Sequence, residues 1–536
     1  MSDILDAPEM ASLLTLVEEA ARSTEAGVKH FVEPAPGTLQ RTINKRHHIV
    51  FGRRGSGKSS LLRKAAADLT VDRRPIAYVN LEAFKGHSYP DVLLSVLVST
   101  FGEFKKWMDS AAVHPATRTS FWSRLFGTSP KRPSFNRRQS ASISAKIAEH
   151  LDALEKELHS TDDAMLSVTD SAETSETDSV ELTLGAKSGV VSMGGNASAG
   201  SASIRKRDVE ETFKRSKVNF LHRHIIEFQR IFDSLAQLSD GDAFLFLDDL
   251  YHIRRADQAS VIDYFHRLGK DHYLWLKIGT IRHRTRWYVH GDPPVGMKIA
   301  DDADEIDLDL TLEKYSLAKE FLTKILRNFA GTANVGRLDG FLTDGALDRL
   351  VLASGGVARD FLSIFRRSVD VARERGGGHR GDRVGVEDVN VAAGEYDSAK
   401  REDFRRDTLD DSSPLEDEFR KVRQFCLERN NTNCFLLDKE QHGRAVDLIR
   451  ELVDLKLVHL ARSRVTVSGR PGKIYEAYML DLSQYAGARK RRELEMVEFW
   501  KADSTESLRR ISLLYTPGDA VEQTAAGDGV SAAPEP

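Results

Sequence analysis

The stretch His48–Leu62, which reads HIVFGRRGSGKSSLL, decides the fold of this chain. Its apolar start is typical of a strand, its glycines of a tight turn, and its end of the first turn of a helix. The glycines bring backbone N–H groups close to an anionic ligand, and the helix dipole adds positive potential. These features predict a phosphate-binding P-loop, although a structural glycine-rich turn has the same composition. The predicted nucleotide-binding residues are Gly52, Arg53, Arg54, Gly55, Ser56, Gly57, Lys58, Ser59 and Ser60.

Two side chains of this loop have specific tasks if the ligand is ATP. Lys58 is expected to reach the β- and γ-phosphates, and the Ser59 hydroxyl is expected to join the shell of a Mg²⁺ ion. ATP and Mg²⁺ are therefore the predicted cofactors, and ADP is the product that the same loop would hold. The proline-rich lead-in at residues 31–37 could pack over the adenine.

A second motif, Ala243–Leu250 (AFLFLDDL), has the pattern of a buried strand that ends in two aspartates. Ligands of open parallel sheets bind at the carboxyl ends of the strands, so both carboxylates are expected beside the P-loop. Asp248 is predicted to hold the Mg²⁺ ion, through water, and Asp249 to orient or deprotonate the attacking water. Taken alone, the same residues would also suit a helix cap or a turn.

Arginines at two further places are candidate sensors of the γ-phosphate. The predicted strand Tyr273–Gly279 is followed by Thr280 and Arg282, and the loop beyond it also contains Arg284 and Arg286. Any one of these arginines could stabilise phosphoryl charge, in this subunit or a neighbour, and a solvated basic loop is the alternative.

The second place is the segment Ser354–Phe361 (SGGVARDF), in which two glycines end one helix and Arg359 lies in the first turn of the next. Arg359 could therefore report the state of the nucleotide to a helical lid. The alternative for these residues is an ordinary lid helix.

Composition and charge restrict the classes of protein to which the chain can belong. It has 536 residues, a formal net charge of −4 and two cysteines, Cys426 and Cys434. The near-balanced charge gives no global field for nucleic acid or membrane, and the cysteines lack metal-ligand spacing. Since the first residues contain no apolar signal core and no apolar run reaches bilayer length, we expect a cytoplasmic protein with free thiols and no membrane contact.

Shifts in composition predict several domains. Residues 160–204 are rich in Ser, Thr, Gly and Ala and contain short alternating pieces, which predicts part mobile linker and part β-hairpin. The basic piece near residues 129–138 invites a nucleic-acid interpretation, with a flexible surface loop as the alternative. The predicted organisation is an N-terminal helix (1–30), a P-loop ATPase core (31–311) with an insertion at about 112–205, a helical lid (312–400), a winged-helix domain (414–485), a helical extension (486–515) and a disordered tail (516–536).

The predicted winged helix combines an amphipathic helix at 415–429, a helical pair at 439–455 and the strands Leu457–Ala461 and Ile474–Leu480, which flank a basic loop. Residues 456–492 contain nine lysines and arginines and two acidic residues, so the local charge is +7. Such a charge could neutralise DNA phosphates, whereas protein contact or packing is the alternative. The residues predicted to contact duplex DNA are Arg462, Arg464, Arg470 and Lys473.

The order of these motifs resembles that of AAA+ ATPases. Over residues 25–395 without the insertion, the P-loop, the AFLFLDDL strand, the strand before Arg282 and the GG-x-x-R lid look most like the origin-recognition-complex, or initiator, branch. The lid and the paired aspartates are also similar to STAND signalling ATPases. In three respects the chain departs from the AAA+ pattern. Asp249 replaces the usual glutamate, and Thr280 or Arg282 must replace the usual sensor asparagine. Lys58 and Asp248 are also 190 positions apart, far more than the family core needs, which is why an insertion is predicted.

The resemblance implies an α/β fold, with a P-loop parallel-sheet ATPase core, a helical lid and a C-terminal winged-helix domain. It further implies slow ATP hydrolysis and association with further copies or a partner ATPase, with an arginine supplied in trans. Two functions follow: a switch that couples the nucleotide to DNA contact, or a signalling or defence scaffold that oligomerises with ATP and binds protein. A metabolic kinase is disfavoured, because the sequence shows no motif for an acceptor substrate.

Overall fold

The computed structural model describes residues 4–20, 30–113, 135–181, 195–375, 383–407, 412–486, 494–501 and 504–517. Most of the basic piece predicted before residue 138, and almost all of the predicted C-terminal tail, lie outside these ranges. No helix in the described part of the chain has the length and apolar character needed to cross a membrane. Cys426 and Cys434 are buried free thiols, as the sequence predicts.

A five-stranded sheet forms the centre of the predicted ATPase core, and all of its pairings are parallel. Its strands are β1 (His48–Phe51), β2 (Ile76–Asn80), β3 (Ala243–Asp248), β4 (Leu274–Thr280) and β7 (Asp304–Asp307), in the order β2-β3-β4-β1-β7. Every residue of β1 and β3 is buried, which explains why both strands read as continuous apolar runs. The predicted edge strand at residues 305–310 is confirmed as β7, which lies at one end of the sheet.

The parallel register brings the two sequence motifs to one edge of the sheet. Phe51, the last residue of β1, pairs with Thr280 of β4, while Asn80 of β2 pairs with Asp248 of β3. The P-loop that follows β1 and the aspartates at the end of β3 therefore emerge at the same carboxyl edge, where ligands of parallel sheets bind.

Helices connect these strands and pack against them. They are α2 (Thr38–Ile43), α3 (Lys58–Val71), α4 (Asp91–Val113), α5 (Arg137–Glu181), α6 (Gly195–Ser239) and α7 (Gln258–Gly269), and a two-stranded ribbon is formed by β5 (Tyr288–Val289) and β6 (Val295–Gly296). Helix α3 starts at the P-loop and contacts β2, β3 and β4. The dipole of this helix therefore points its positive end at the carboxyl edge of the sheet.

The insertion is more helical than its composition predicts. Helix α4 packs on α5, and α5 packs on α6, while Phe101, Phe228 and Phe232 stack between α4 and α6. The prediction of a mobile linker with a hairpin at 160–204 is wrong for the described residues, because helix continues to Glu181 and resumes at Gly195. Residues 182–194 of that prediction lie outside the described residues.

The predicted helical region after the core is confirmed. It comprises α8 (Tyr315–Thr332), α9 (Asp344–Ser354), α10 (Ala358–Arg375) and α11 (Val386–Asp407). The N-terminal helix α1 (Pro8–Ala20) contacts α8 and α10, and its buried Leu13 and Val17 belong to the same apolar core as those helices. This N-terminal helix is thus packed on the lid rather than on the sheet.

The C-terminal region contains two helices and a three-stranded antiparallel sheet. Its elements are α12 (Ser412–Gln424), β8 (Cys434–Asp438), α13 (Arg444–Asp454), β9 (Val458–Val465) and β10 (Tyr475–Leu480), with the strand order β8-β10-β9. The predicted helical pair at 439–455 is a single helix, α13, and β8 was not predicted. The winged-helix interpretation stays a prediction.

The predicted helical extension at 486–515 is wrong for the residues that the structure describes there. Residues 494–501 contain no helix, and 504–517 contain only the short 3-10 turns Ser504–Leu508 and Ile511–Leu513. Isolated bridges join Glu495 to Thr432 and Leu514 to Leu436, so this segment lies against the C-terminal sheet.

Candidate nucleotide-binding site

The P-loop turns through two glycines that have left-handed backbone conformations, Gly55 (φ +89°) and Gly57 (φ +100°). Gly55 also packs against the lid, since a Cβ atom there would lie only 2.8 Å from the Cβ of Arg359. The Arg359 N–H donates a hydrogen bond to the Gly55 carbonyl oxygen at 3.2 Å. The phosphate loop and the first turn of α10 are therefore in direct contact.

The Lys58 ammonium lies inside the loop that is expected to hold the phosphates. Its Nζ donates hydrogen bonds to the carbonyl oxygens of Gly52 at 2.7 Å and Arg53 at 3.3 Å. Burial lowers the pKa of Lys58, and the nearby carboxylates of Asp249 and Asp248 oppose that shift. The loop thus concentrates one ammonium group and a set of backbone amides at the end of a helix, which suits a triphosphate.

Asp248 is held in one orientation by two donors. The Tyr78 hydroxyl donates to Oδ2 at 2.5 Å, and the Asp249 N–H donates to Oδ1 at 3.0 Å. Burial and the charge of Asp248 raise the pKa of Tyr78, so the phenol keeps its proton and remains a donor. The sequence analysis did not predict a role for Tyr78. Its position on β2, the strand that pairs with β3, is the signal that relates it to Asp248.

Asp249 directly follows β3 and has a left-handed backbone conformation, with φ +58°. Burial, together with the charge of Asp248, raises the pKa of Asp249 to about 6. The oxygens of Ser59 and Asp248 are of the type that Mg²⁺ prefers, so these residues fit the predicted metal ion. Asp249 lines the neighbouring cavity, whereas Asp248 does not.

A cavity of about 330 Å³ lies between the P-loop, the lid and the N-terminal segment. Its polar lining comes from P-loop residues together with Asp249 and Arg359. Its apolar lining comes from the lead-in and from α8 and α10: Val32, Pro34, Phe321, Ile325, Phe329 and Leu362. Polar groups for phosphates and apolar side chains for a base are both features that a nucleotide requires.

The predicted site residues divide into those that line this cavity and those that do not. Arg54, Gly55, Ser56, Gly57, Lys58, Ser59, Ser60, Asp249 and Arg359 line it. Arg53 has another role, because its buried guanidinium donates to Asp309 Oδ1 at 3.2 Å and to the Gly355 carbonyl at 2.9 Å. The Arg53 side chain therefore joins the P-loop to the lid and does not face the nucleotide.

Arg282 lies outside the cavity, so the structure does not place it as a γ-phosphate sensor. Its guanidinium pairs with Glu305 at 3.1 Å and Asp307 at 3.2 Å, and it lies over the Phe51 ring, 4.1 Å from the centroid. The physical reason is the pair of carboxylates on the edge strand β7, which lies on the far side of β1 from β4. The hydroxyl of Thr280, the other candidate at this strand end, is buried against that of Thr285 at 2.5 Å.

Comparison with solved structures finds partial likenesses, among them the following three. A Walker-type ATPase of Pyrococcus abyssi matches with a TM-score of 0.38 and 13% identity, over 83% of this chain and 92% of that one. The ORC1 protein of Aeropyrum pernix, solved with DNA, gives 0.28 and 14%, over 89% and 92%. The RuvB Holliday junction branch migration motor of Thermotoga maritima gives 0.27 and 10%, over 77% and 76%.

A scan against protein-family models and a search of curated proteins gave no match.

Proposed function

We propose that the protein is an ATP-dependent switch whose nucleotide state controls its C-terminal domain. The observation that carries the proposal is the cavity between the P-loop and the lid, whose lining combines polar P-loop groups with apolar side chains. Lys58 and the loop amides bind the phosphates, Ser59 and Asp248 hold Mg²⁺, and Asp249 orients the attacking water. Arg359, which touches both the cavity and the P-loop, responds to the γ-phosphate.

The lid segment Ser354–Phe361 supports the coupling, because it contacts the P-loop and the C-terminal domain at alternate residues. The Gly355 carbonyl accepts a hydrogen bond from Arg53, and Asp360, next to Arg359, accepts one from Lys456 at 3.0 Å. Both side chains of the Asp360–Lys456 pair are almost wholly buried. Removing one partner of a buried ion pair costs about 3–5 kcal/mol, so a shift of this segment affects both neighbours.

A second buried polar cluster fixes the C-terminal domain to the same turn. Asp481 accepts hydrogen bonds from Lys400 at 2.6 Å and from His459 at 2.7 Å. Burial alone would raise the pKa of Asp481, but the Lys400 ammonium and the His459 imidazole hold it well below its usual range. The His459 ring packs on Gly355, the residue that Arg53 contacts from the other side. A movement of the P-loop would therefore be transmitted through Gly355 and His459 to β9.

We further propose that the C-terminal domain contacts duplex DNA through its basic loop. Arg464 and Arg470 are exposed there. Arg462 instead donates to the Glu313 carbonyl at 3.4 Å, and Lys473 pairs with Asp438 at 2.8 Å. Exposed cations contact phosphates at little cost, whereas Arg462 and Lys473 would first have to leave their present partners.

One observation favours the alternative, in which the C-terminal domain binds protein rather than DNA. Helix α13 is docked on the ATPase core, where Glu451 pairs with Arg255 at 2.9 Å and Asp454 accepts a hydrogen bond from the His283 N–H at 2.9 Å. If α13 were the DNA-reading helix of a winged helix, Glu451 and Asp454 on it would already be engaged by a protein surface. In that case the switch would act as a scaffold that oligomerises with ATP.

The nucleotide part of the proposal is tested by ATP binding and hydrolysis of the wild type and of Lys58→Ala, each with and without duplex DNA. We expect Lys58→Ala to lose about 10- to 100-fold in ATP affinity, because charged hydrogen bonds contribute about 1.5–3 kcal/mol. Lys64→Ala is the matched control, since Lys64 lies on the same helix and pairs with Asp68. Equal affinity of the wild type and Lys58→Ala would contradict the site.

The DNA part is tested by fluorescence anisotropy with duplex DNA over a range of salt concentrations. We expect Arg464→Ala with Arg470→Ala to weaken binding and to reduce its salt dependence. Arg337→Ala with Arg420→Ala removes the same charge from other surfaces and should have little effect. If the protein does not bind duplex DNA but associates with itself in the presence of ATP in size-exclusion chromatography, the protein-binding scaffold is favoured.

A further inference from the structure

Three side chains with metal-binding atoms meet in the lining of the cavity beside the P-loop. They belong to Glu82, Asp249 and His252, and one ligand atom of each lies within 4.8 Å of those of the other two. All three residues line the cavity that also contains Lys58 and Ser59. The proposed switch uses Asp249 but gives no role to Glu82 or His252.

The fold brings these residues together from two neighbouring strands. Glu82 follows β2 in a short turn, where its N–H donates to Asn80 Oδ1 at 3.0 Å. Asp249 and His252 follow β3, where the His252 N–H donates to the Asp249 carbonyl at 3.1 Å. Since Asn80 pairs directly with Asp248 in the sheet, the two turns emerge side by side. The cluster is thus a product of the parallel register and not of sequence spacing.

We propose that Glu82, Asp249 and His252 form a second divalent-cation site, separate from the Mg²⁺ site of Ser59 and Asp248. One imidazole and two carboxylates are a donor set that suits first-row transition metals, whereas Mg²⁺ prefers oxygen donors alone. Three protein ligands also leave coordination positions open, as in catalytic sites that bind water or substrate. The expected ligand is therefore Mn²⁺ or Zn²⁺.

The side-chain geometry requires little movement to bind such an ion. His252 is fixed, with 7% of its side chain exposed, while 54% of the Glu82 side chain is exposed. His252 Nε2 and Glu82 Oε1 are 3.9 Å apart, which is beyond hydrogen-bond length. Two ligands of one ion with bonds of about 2.1 Å lie roughly 3–4 Å apart, so a rotation of the exposed Glu82 completes the set.

An ion at this place would face the phosphate tail of a bound nucleotide. Its open positions would point into the cavity, where they can bind a water molecule or a phosphate oxygen. This placement relative to ATP rests on the proposed function, but the binding of the ion itself does not. The metal site can therefore be tested without any nucleotide.

The test is a titration of the nucleotide-free, full-length protein with Mn²⁺ alone, followed by electron paramagnetic resonance of the free ion. We expect one saturable Mn²⁺ per chain, and at least tenfold weaker binding in Glu82→Gln and in His252→Gln. Glu103→Gln, which alters a carboxylate that pairs with Lys106 on α4, is the control and should bind as the wild type does. Pulsed spectra should show a nitrogen coupling from the imidazole that disappears in His252→Gln.

Ser59→Ala separates the two cation sites. It should leave Mn²⁺ binding unchanged without nucleotide, because Ser59 belongs to the Mg²⁺ site. Absence of saturable binding in the wild type, binding that His252→Gln leaves intact, or binding that Ser59→Ala abolishes would each overturn the proposal. Thermal unfolding of each variant confirms that it is folded, and ATP binding by the wild type tests the proposed function independently.

Discussion

At the scale of single residues, the site depends on how the fold orients a few charged groups. The sequence predicted Lys58, Ser59, Asp249 and Arg359 correctly as neighbours of one cavity, because a P-loop and a strand that ends in carboxylates have strong local patterns. Arg282 instead pairs with carboxylates that lie 23 and 25 positions further along the chain, and its action on a neighbouring subunit stays a prediction. Pairing across strands depends on register, which a single sequence does not show.

The hydrogen bond from Tyr78 to Asp248 gives a prediction at this scale. Tyr78→Phe keeps the ring that stacks on Phe246 but removes the donor, so the buried Asp248 Oδ2 loses its partner. We expect a loss of about 1–3 kcal/mol in the free energy of unfolding, measured by urea denaturation. Tyr273→Phe is the control, since 54% of Tyr273 is exposed. Equal stability of the Tyr78→Phe variant and the wild type would show that the short contact contributes nothing.

At the scale of elements, the strands and helices of the ATPase core were predictable and parts of the C-terminal region were not. Strand β1 has only four residues but directly precedes the P-loop motif, and β3 and β4 are mostly apolar runs of six and seven residues. Strand β8 has only five residues, and a short apolar run cannot be assigned to strand or helix by periodicity. The sequence did not predict the polar parts of the insertion helices α5 and α6. Helix formation in proteins depends largely on tertiary packing, and composition alone does not report packing.

The turn between α9 and α10 gives a prediction at the scale of elements. Gly355 has φ +57°, and a Cβ atom there would lie 2.1 Å from the Cε1 of His459, which Asp481 holds in place. Gly355→Ala should therefore cost about 1–2 kcal/mol for the backbone conformation alone, and should displace β9 from the lid. Hydrogen–deuterium exchange should show faster exchange over residues 455–465.

Gly102→Ala provides the matched control for that measurement. Gly102 lies within helix α4, and no atom lies within 4 Å of a Cβ built there. Alanine in place of a helical glycine should stabilise the protein by about 0.5–1 kcal/mol and leave the exchange of β9 unchanged. Unchanged exchange of β9 in Gly355→Ala would contradict the coupling through this turn.

At the scale of the whole molecule, buried histidines at the amino edge of the sheet make stability depend on pH. Burial lowers the pKa of His47 to about 3, and its Nδ1 accepts a hydrogen bond from the Leu276 N–H at 3.1 Å. The charged groups that face it are His266, Lys277, Arg46 and Asp302. The unfolded chain binds a proton at His47 below about pH 6.5, whereas the folded chain does not, so stability falls as the pH falls from 7 towards 3.

The expected size of this effect can be measured. At pH 5, protonation of His47 in the unfolded chain lowers the free energy of unfolding by about 2 kcal/mol. His47→Gln keeps an acceptor for Leu276 and should reduce the loss of unfolding free energy between pH 7 and pH 5 by that amount. His290→Gln, at an exposed histidine, should not change it. A pH dependence that is identical in His47→Gln and the wild type would show that the buried imidazole is not responsible.

The buried guanidinium of Arg53 has a consequence for any future partner of the C-terminal domain. It joins the P-loop to the turn at Gly355, against which the His459 ring packs. The P-loop and the C-terminal domain therefore contact the same turn. Thermodynamic reciprocity then requires that the factor by which ATP alters the affinity for a partner equals the factor by which the partner alters the affinity for ATP. In the proposed switch, a partner would thus set the affinity with which the protein binds its nucleotide.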